Sequence, residues 1–199
     1  APNKGGGLWL GATAQAHLHG VTVQRCKALN AGGMYLDGIV ALVDVGIEDC
    51  YATGQRAAMF LSGSLRAERV RVARASGFIP AYLKGTSTWT DSTFVDCSRG
   101  PAAASGAHSF TRISIRGATQ YGLTAGVGTG GGVAVVIDSH IADGQGTCVT
   151  ALRKGALILR NVTLSNCSAP EKPYVSLKTA EAAAAFQAEL LTLEPACEA

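Results

Sequence analysis

Val21-Thr22-Val23-Gln24-Arg25-Cys26 begins a pattern that runs through most of this 199-residue chain. Each unit of the pattern has two residues, apolar in most units, that are separated by one position. A small residue lies three positions after the second of them. The pattern returns every 21 to 26 residues. Recurrence at this period predicts an array of equivalent units that stack on one another, because one such unit cannot bury its apolar face alone. The small position is occupied in turn by Cys26, Cys50, Ala75, Cys97, Ala118, Gly144 and Cys167.

A glycine column gives the repeats a common register. In six of the seven repeats a glycine lies 12 residues before the small position, and Ala14 takes this place in the first repeat. The variation in repeat length therefore falls elsewhere, and it is largest in residues 121–131, which we interpret as an inserted loop. The members of the glycine column are Gly38, Gly63, Gly85, Gly106, Gly132 and Gly155.

Short apolar runs precede the glycines, and they have the length of strands. Runs of three to five residues with a period of two predict β-strands and are too short for helices. Each strand then pairs with the equivalent strand one coil away, at roughly 4.8 Å. The clearest runs are Leu8-Trp9-Leu10, Met34-Tyr35-Leu36, Met59-Phe60-Leu61 and Ala81-Tyr82-Leu83.

One segment resembles a known family of repeats. Gly32-Gly33-Met34-Tyr35-Leu36 follows Val23-x-x-Cys26-x-Ala28. It is similar to the Gly-Gly-small-Ile run after Phe-x-x-Asn in polymorphic outer membrane protein repeats, which also occur in algal and protist surface proteins. Cysteine replaces the asparagine here, and only the first repeats keep Gly-Gly. The resemblance implies a pectin-lyase-like, right-handed parallel β-helix.

We therefore expect an all-β solenoid of about seven coils over residues 1–170. The alternative is a leucine-rich repeat, because Leu18-x-x-Val21-x-Val23-x-x-Cys26 fits the core of that motif. We favour the β-helix because the second strand-like run and the glycine column have no role in a leucine-rich repeat.

Residues 171–199 are predicted to form a C-terminal extension with a helix over about 179–192. Thr179 is the expected N-cap, and Glu181 places an acid in the first turn. The apolar side chains of this helix are expected to cover an open end of the solenoid. These side chains are Phe186, Leu190, Leu191 and Leu193.

Composition excludes several classes of protein. Apolar residues make up 47% of the chain and charged residues 16%, which favours a buried core over disorder. The net charge of +3 is weak, and no Lys/Arg block has the density of a nucleic-acid-binding arm. No run of 18 apolar residues predicts a membrane span. Ala1 begins almost directly in repeat-like sequence, as in a mature protein or a segment of a longer surface protein.

The cysteines leave two arrangements open. Cys26 and Cys50 are stacked neighbours in the small column, so they form either a disulfide or a free buried ladder. Cys97 has alanine above and below it and is predicted to be unpaired. Cys148 and Cys197 lie outside the column, and either they pair with each other or Cys197 belongs to a following module.

Two glycosylation sequons favour the extracellular side. Asn161-Val-Thr163 and Asn166-Cys-Ser168 match the acceptor pattern, and strand alternation turns Asn161 outward. With the cysteine content, they predict an extracellular or cell-surface glycoprotein.

A polysaccharide-active enzyme would need a cluster of carboxylates in one groove. No two neighbouring coils present an acid pair in one column, so we predict no catalytic residues. No C-x-x-C motif or histidine cluster indicates a metal site, and no cofactor is expected. The acids considered are Asp44, Asp49, Asp91, Asp96, Asp138 and Asp143.

An aromatic column gives the sharpest functional prediction. Trp9, Tyr35, Phe60 and Tyr82 occupy one position in four consecutive coils. If their flanking residues point inward, all four rings face solvent and form an interaction stripe. In the opposite register the rings belong to the core.

These patterns predict a non-catalytic structural or adhesive module that mediates protein–protein assembly. Its partners are other protein chains of a surface assembly. The alternatives are a carbohydrate-binding β-helix and a polysaccharide lyase or hydrolase.

Overall fold

The protein is a parallel β-solenoid of about seven turns. The computed structural model describes residues 5–54, 58–77, 79–127, 130–167, 174–184 and 186–194. Strands stack in parallel with the equivalent strands of the neighbouring coils, as the repeat predicted. In the described residues, each coil contributes strands to more than one wall of the solenoid. This agrees with the β-helix and not with a leucine-rich repeat, in which each unit has one strand.

The first wall is a sheet of eight parallel strands, one from each level of the stack. It carries the short apolar runs of the sequence. The strands follow one another in chain order: β1 (Leu8–Leu10), β5 (Met34–Leu36), β9 (Met59–Leu61), β12 (Ala81–Leu83), β15 (Ala102–Ala103), β18 (Tyr121–Ala125), β20 (Thr147–Ala151) and β22 (Val175–Leu177).

The second wall follows the glycine column. Its strands in the first five coils are β2 (Gln15–His19), β6 (Ile39–Val43), β10 (Ser64–Glu68), β13 (Thr86–Thr90) and β16 (Ala107–Thr111). The third wall in these coils consists of β3 (Thr22–Gln24), β7 (Gly46–Glu48), β11 (Arg71–Ala73), β14 (Thr93–Val95) and β17 (Ser114–Arg116).

Three longer strands continue both the second and the third wall without a break. They are β19 (Val133–Ala142), β21 (Ala156–Ser165) and β23 (Phe186–Glu194). The first half of β19 pairs with β16 and its second half with β17, so one strand bends across the corner. A two-stranded sheet of β4 (Lys27–Ala28) and β8 (Tyr51–Ala52) follows the third wall in the first two coils.

The glycine column lies along one edge of the stack because side chains do not fit there. A Cβ at Gly63 would collide with the carbonyl oxygen of Gly38, and one at Gly85 would collide with that of Gly63. Gly106 stands in the same relation to Gly85. The alignment of these glycines, on which the sequence interpretation depends, is confirmed.

The core fills the interior of the winding. Alternate residues of each strand face inward, so that Leu42, Ala67, Trp89 and Phe110 stack in one column that is at most 1% exposed. The rings of Trp89 and Phe110 are stacked at 6.3 Å, and Phe94 of the third wall lies 5.4 Å from Trp89. A single continuous core therefore runs along the solenoid axis.

Two columns of left-handed residues turn the chain at the corners beside the third wall. Their φ angles lie between +46° and +65°. The first corner column precedes the third wall and contains Gly20, Asp44, Arg69, Asp91, Arg112, Asp138, Asn161 and Leu190. The second corner column follows it and contains Arg25, Asp49, Arg74, Asp96, Gly117, Asp143 and Asn166.

Ion pairs between coils accompany the arginines at these strained positions. A left-handed backbone costs about 1–2 kcal/mol for an ordinary L-residue, whereas Asp and Asn tolerate it better. Arg69 donates from Nε and Nη2 to Asp44, one coil below, at 2.6 and 3.0 Å. Arg112 donates from Nε and Nη2 to Asp91 in the same bidentate way, at 2.7 and 2.8 Å. Aspartate and its partner therefore alternate up the column.

The C-terminal helix prediction is correct at its start and wrong in its extent. Thr179 is the N-cap, since its Oγ1 accepts from the N–H of Ala182 at 3.1 Å, but the helix α1 spans only Ala180–Ala184. Residues 186–194 form strand β23, which pairs with β21. The solenoid thus extends to Glu194 instead of ending near residue 170. A parallel edge offered by β21 outweighs the helical preference of the alanine and glutamate residues.

Candidate interaction surface

A broad open groove crosses the outside of the second wall. Its volume is about 770 Å³, and β2, β6, β10, β13 and β16 form its floor. The strands alternate, so that Leu65 and Ala67 point into the core while Ser64 and Arg66 point into the groove. The groove is therefore lined by two columns of outward side chains, one starting at Gln15 and the other at His17.

The lining is mostly small and weakly polar. Alanine, serine and threonine predominate, and Ile39 exposes 60% of its surface to solvent. Arg66 is the one side chain with a permanent charge among the described lining residues, and it lies 3.9 Å from Glu68 at the rim. The outward columns are Gln15, Ile39, Ser64, Thr86 and Ala107, and His17, Ala41, Arg66, Thr88 and Ser109.

A buried polar chain supports the groove from beneath. Trp89 Nε1 donates to Ser87 Oγ at 2.9 Å, and Ser87 Oγ lies 2.8 Å from His108 Nδ1. His108 Nε2 lies 2.9 Å from the carbonyl oxygen of Ser105, which can only accept. This assigns the proton of the neutral imidazole to Nε2 and makes Nδ1 the acceptor for the Ser87 hydroxyl. The side-chain polar atoms of Trp89, Ser87 and His108 are thereby all paired.

The free energy of unfolding is expected to decrease as the pH falls below about 6.5. Burial lowers the pKa of His108 below its ordinary value of 6.5. Below pH 6.5 the unfolded chain therefore binds a proton at His108 that the folded chain does not bind. The free energy of unfolding then falls by up to about 1.4 kcal/mol for each pH unit. Urea unfolding between pH 8 and pH 5 measures this slope. His108→Gln should reduce it and exposed His17→Gln should not; an equal slope in both variants would contradict the assignment.

The aromatic column faces away from the core, but it is not an exposed stripe. Met34, Leu36, Met59 and Leu61, which flank the rings, are fully buried, as the outward register predicted. Trp9 is 56% exposed, whereas Phe60 is only 3% exposed. The Tyr35 and Tyr82 rings lie on either side of Phe60, at 4.6 and 6.0 Å, and both are half-buried. The prediction of four exposed rings is wrong because neighbouring rings cover one another.

The disulfide joins a pair that the sequence did not suggest. Cys148 on the first wall is bonded to Cys167 in the small column of the same coil, with Cα atoms 5.4 Å apart. Cys26 and Cys50 are free, so the free ladder is the arrangement present, and Cys97 is free and buried. Burial raises the pKa of the Cys50 thiol to about 11. Cys197 lies outside the described residues, and its pairing with Cys148 is excluded by Cys167.

The pairing follows from what faces each cysteine across the interior. A Cβ at Gly7 would lie 3.0 Å from Cys26 Sγ, and one at Gly33 would lie 3.3 Å from Cys50 Sγ. Cys148 takes the place in its coil that these glycines take in theirs. A cysteine of the small column can therefore form a disulfide only in a coil whose first wall has a cysteine at the facing position, as Cys148 faces Cys167.

Both sequon asparagines lie in the corner columns. Asn161 and Asn166 are exposed, which confirms the outward direction predicted for Asn161. Their Nδ2 groups donate to Asp138 at 2.8 Å and Asp143 at 3.0 Å. Ser168 lies outside the described residues, and glycosylation at these sites stays a prediction.

Five of the six carboxylates considered for catalysis are held by the next coil: Asp44, Asp49 and Asp91 by arginines, and Asp138 and Asp143 by asparagine amides. Hydrogen bonds from Arg69, Arg74 and Arg112 hold the pKa values of Asp44, Asp49 and Asp91 below the ordinary value. A general acid needs the opposite shift, towards neutral pH. Among the described residues, no three His, Cys, Asp or Glu side chains are grouped as metal ligands.

No family model, curated protein or solved structure matches this chain. The resemblance to polymorphic outer membrane protein repeats therefore stays a prediction. Within the described ranges, no helix is long and apolar enough to cross a membrane.

Proposed function

We propose that the protein is a non-catalytic structural or adhesive module of an extracellular assembly, and that its groove docks another protein chain. The composition of the groove carries this proposal. Protein interface cores are depleted of charged residues, with the exception of arginine, and are bordered by polar side chains. Exposed Ile39, the flat surface of small side chains and the single Arg66 fit that description.

A protein partner fits this groove better than a carbohydrate. Sugar rings bind to proteins largely by stacking on aromatic faces, and the described lining contains no Trp, Tyr or Phe. The aromatic column belongs to the first wall, where Phe60 is covered. A hydrolase would in addition need a carboxyl group with a raised pKa, which the arginine-bound aspartates do not supply.

An extracellular location is supported by covalent features. Structural disulfides persist in oxidising compartments, and Cys148–Cys167 is buried. The two sequons and the resemblance to right-handed β-helix surface proteins point the same way.

Binding of the full chain to immobilised extracellular-matrix and cell-surface proteins, and to a glycan array, tests this function. We expect saturable binding in the protein panel and a loss of affinity of at least tenfold in Ile39→Glu and Ser109→Glu, since each buries a charge in the interface. Thr93→Glu on the third wall is the matched control and should bind normally. Binding confined to glycans, binding unaffected by both groove variants, or release of reducing ends from acidic polysaccharides would contradict the proposal.

A further inference from the structure

A small cavity lies outside the first wall of the solenoid, on a different wall from the groove. Its volume is about 100 Å³. Ala102, Thr124 and Thr150 line it and are partners in successive coils, where they continue the aromatic column beyond Tyr82. Because these side chains are smaller than the rings that precede them, space remains between the wall and the residues that cover it.

The cavity has a buried side and a half-buried rim. Ala102, Thr124 and Thr150 face away from the core, yet all three are buried, as is Ile79, which also lines the cavity. The half-buried members of the lining are Arg99, Tyr121, Val127 and Leu152. A small molecule can therefore enter past this rim and contact the buried threonines.

The buried hydroxyl of Thr150 has no hydrogen-bond partner. Thr150 is 1% exposed, and in the described residues its Oγ1 is the one buried side-chain oxygen or nitrogen without a partner. Burial of an unpaired hydroxyl destabilises a fold, because the hydroxyl loses its bonds to water and gains none in return. Such groups are ordinarily paired with the protein, a water or a ligand. Since Thr150 lines the cavity, a molecule held there supplies the missing partner.

A cation borders the same cavity. The guanidinium of Arg99 lies over the Tyr121 ring, 5.3 Å from its centre, and Arg99 Nε donates to Gln120 Oε1 at 2.7 Å. Burial lowers the pKa of Arg99, but a guanidinium keeps its proton at neutral pH. Because a guanidinium has five N–H donors, Arg99 can donate to an anion while it keeps the bond to Gln120. The charge at the rim therefore favours a negatively charged molecule.

The rest of the lining is apolar and limits the size of that molecule. Ile79, Ala102, Val127 and Leu152 contribute hydrocarbon side chains, which favour an alkyl group over further polar groups. An apolar cavity of about 150 Å³ holds benzene, so this smaller one has room for about four or five non-hydrogen atoms. In so small a space a bound molecule contacts the apolar lining, Thr150 and Arg99 together.

We infer that the cavity binds a free short-chain carboxylate, of the size of acetate or propionate. The carboxylate accepts a hydrogen bond from the Thr150 hydroxyl and is neutralised by the Arg99 guanidinium, and the alkyl group packs against Ile79 and Leu152. A cation of the same size would be repelled by Arg99, and a sugar ring is too large for the space. This site belongs to the first wall and does not depend on the docking function proposed for the groove.

Titration of the ¹⁵N-labelled full chain with propionate, followed by NMR, tests the binding. We expect saturable shifts that are largest at Thr150 and Arg99. The dissociation constant should be about millimolar, and for a ligand with so few atoms it should not be tighter than about 3 µM. Propionamide has nearly the same shape and no charge, so it should bind about tenfold more weakly or worse. Lack of saturation, equal affinity for the amide, or tighter binding of octanoate, which is too long for the cavity, overturns the inference.

Two substitutions of Thr150 test the hydroxyl. Thr150→Val keeps the shape and removes the unpaired oxygen, so it should raise the midpoint of thermal unfolding without ligand and weaken propionate binding about tenfold or more. Thr150→Ser keeps the hydroxyl and should bind within about threefold of the parent chain. Ser176→Ala, in the next coil of the same column but outside the lining, and Ile39→Glu in the groove are the controls and should bind normally. A less stable Thr150→Val chain, or one that binds propionate as the parent does, overturns the inference.

Discussion

Replacing Trp89 with alanine is expected to lower the free energy of unfolding by about 3–5 kcal/mol. Trp89 is 1% exposed and is the largest side chain in the middle of the core. Its ring contacts Phe94 and Phe110, and its Nε1 donates to Ser87. The substitution removes these contacts, opens a cavity in a stack that cannot collapse along its axis, and leaves the Ser87 hydroxyl without a donor.

Urea denaturation followed by circular dichroism measures this loss. The chain offers a matched control, because its only other tryptophan, Trp9, is 56% exposed. Trp9→Ala should cost less than about 1 kcal/mol. Equal losses in the two variants would show that the interior of the solenoid does not depend on Trp89.

Removing the disulfide with Cys148→Ala and Cys167→Ala is expected to cost about 3 kcal/mol of unfolding free energy. The two cysteines are 19 residues apart in sequence, and their bond closes one coil of the solenoid. The unfolded chain without the bond gains the freedom of that loop, whereas the folded coil is held by its neighbours. The effect therefore arises mainly in the unfolded state.

Cys26→Ala with Cys50→Ala is the control for lost packing. These residues occupy the same small column and are free, so their replacement removes sulfur atoms without opening a loop. Chemical denaturation should show a clearly smaller loss in this pair. A loss from Cys148→Ala and Cys167→Ala that is no larger than in the control pair would contradict the role of the bond.

The winding could be predicted because stacking imposes the same environment on every coil. Gly38, Gly63 and Gly85 occupy equivalent positions at which a Cβ would collide with a carbonyl oxygen of the neighbouring coil. Each of these coils therefore needs glycine there, and the spacing of the glycines is visible in the sequence. The first corner column is visible in the sequence too, since Asp44, Arg69 and Asp91 recur six residues before the small position, but the spacing alone does not show that Arg69 bonds to Asp44 of the coil below.

The groove was not predicted, because it forms only where the outward side chains of five neighbouring coils are mostly small and carry little charge. Neither Ile39 nor Ser109 stands out by itself in the sequence, and their neighbours on the wall are 21 to 26 residues away along the chain. The aromatic column was found, but the burial of Phe60 depends on how the Tyr35 and Tyr82 rings lie against it.

The sequence by itself determined the coil length and the positions of most strands, since these are repeated locally in every unit. Only the tertiary structure decided that Cys148 meets Cys167, that β23 replaces most of the expected helix, and that the aromatic column of the first wall faces away from the core. These features depend on side chains and strand edges that meet across the interior or between coils, where separation along the chain gives no measure of distance in space.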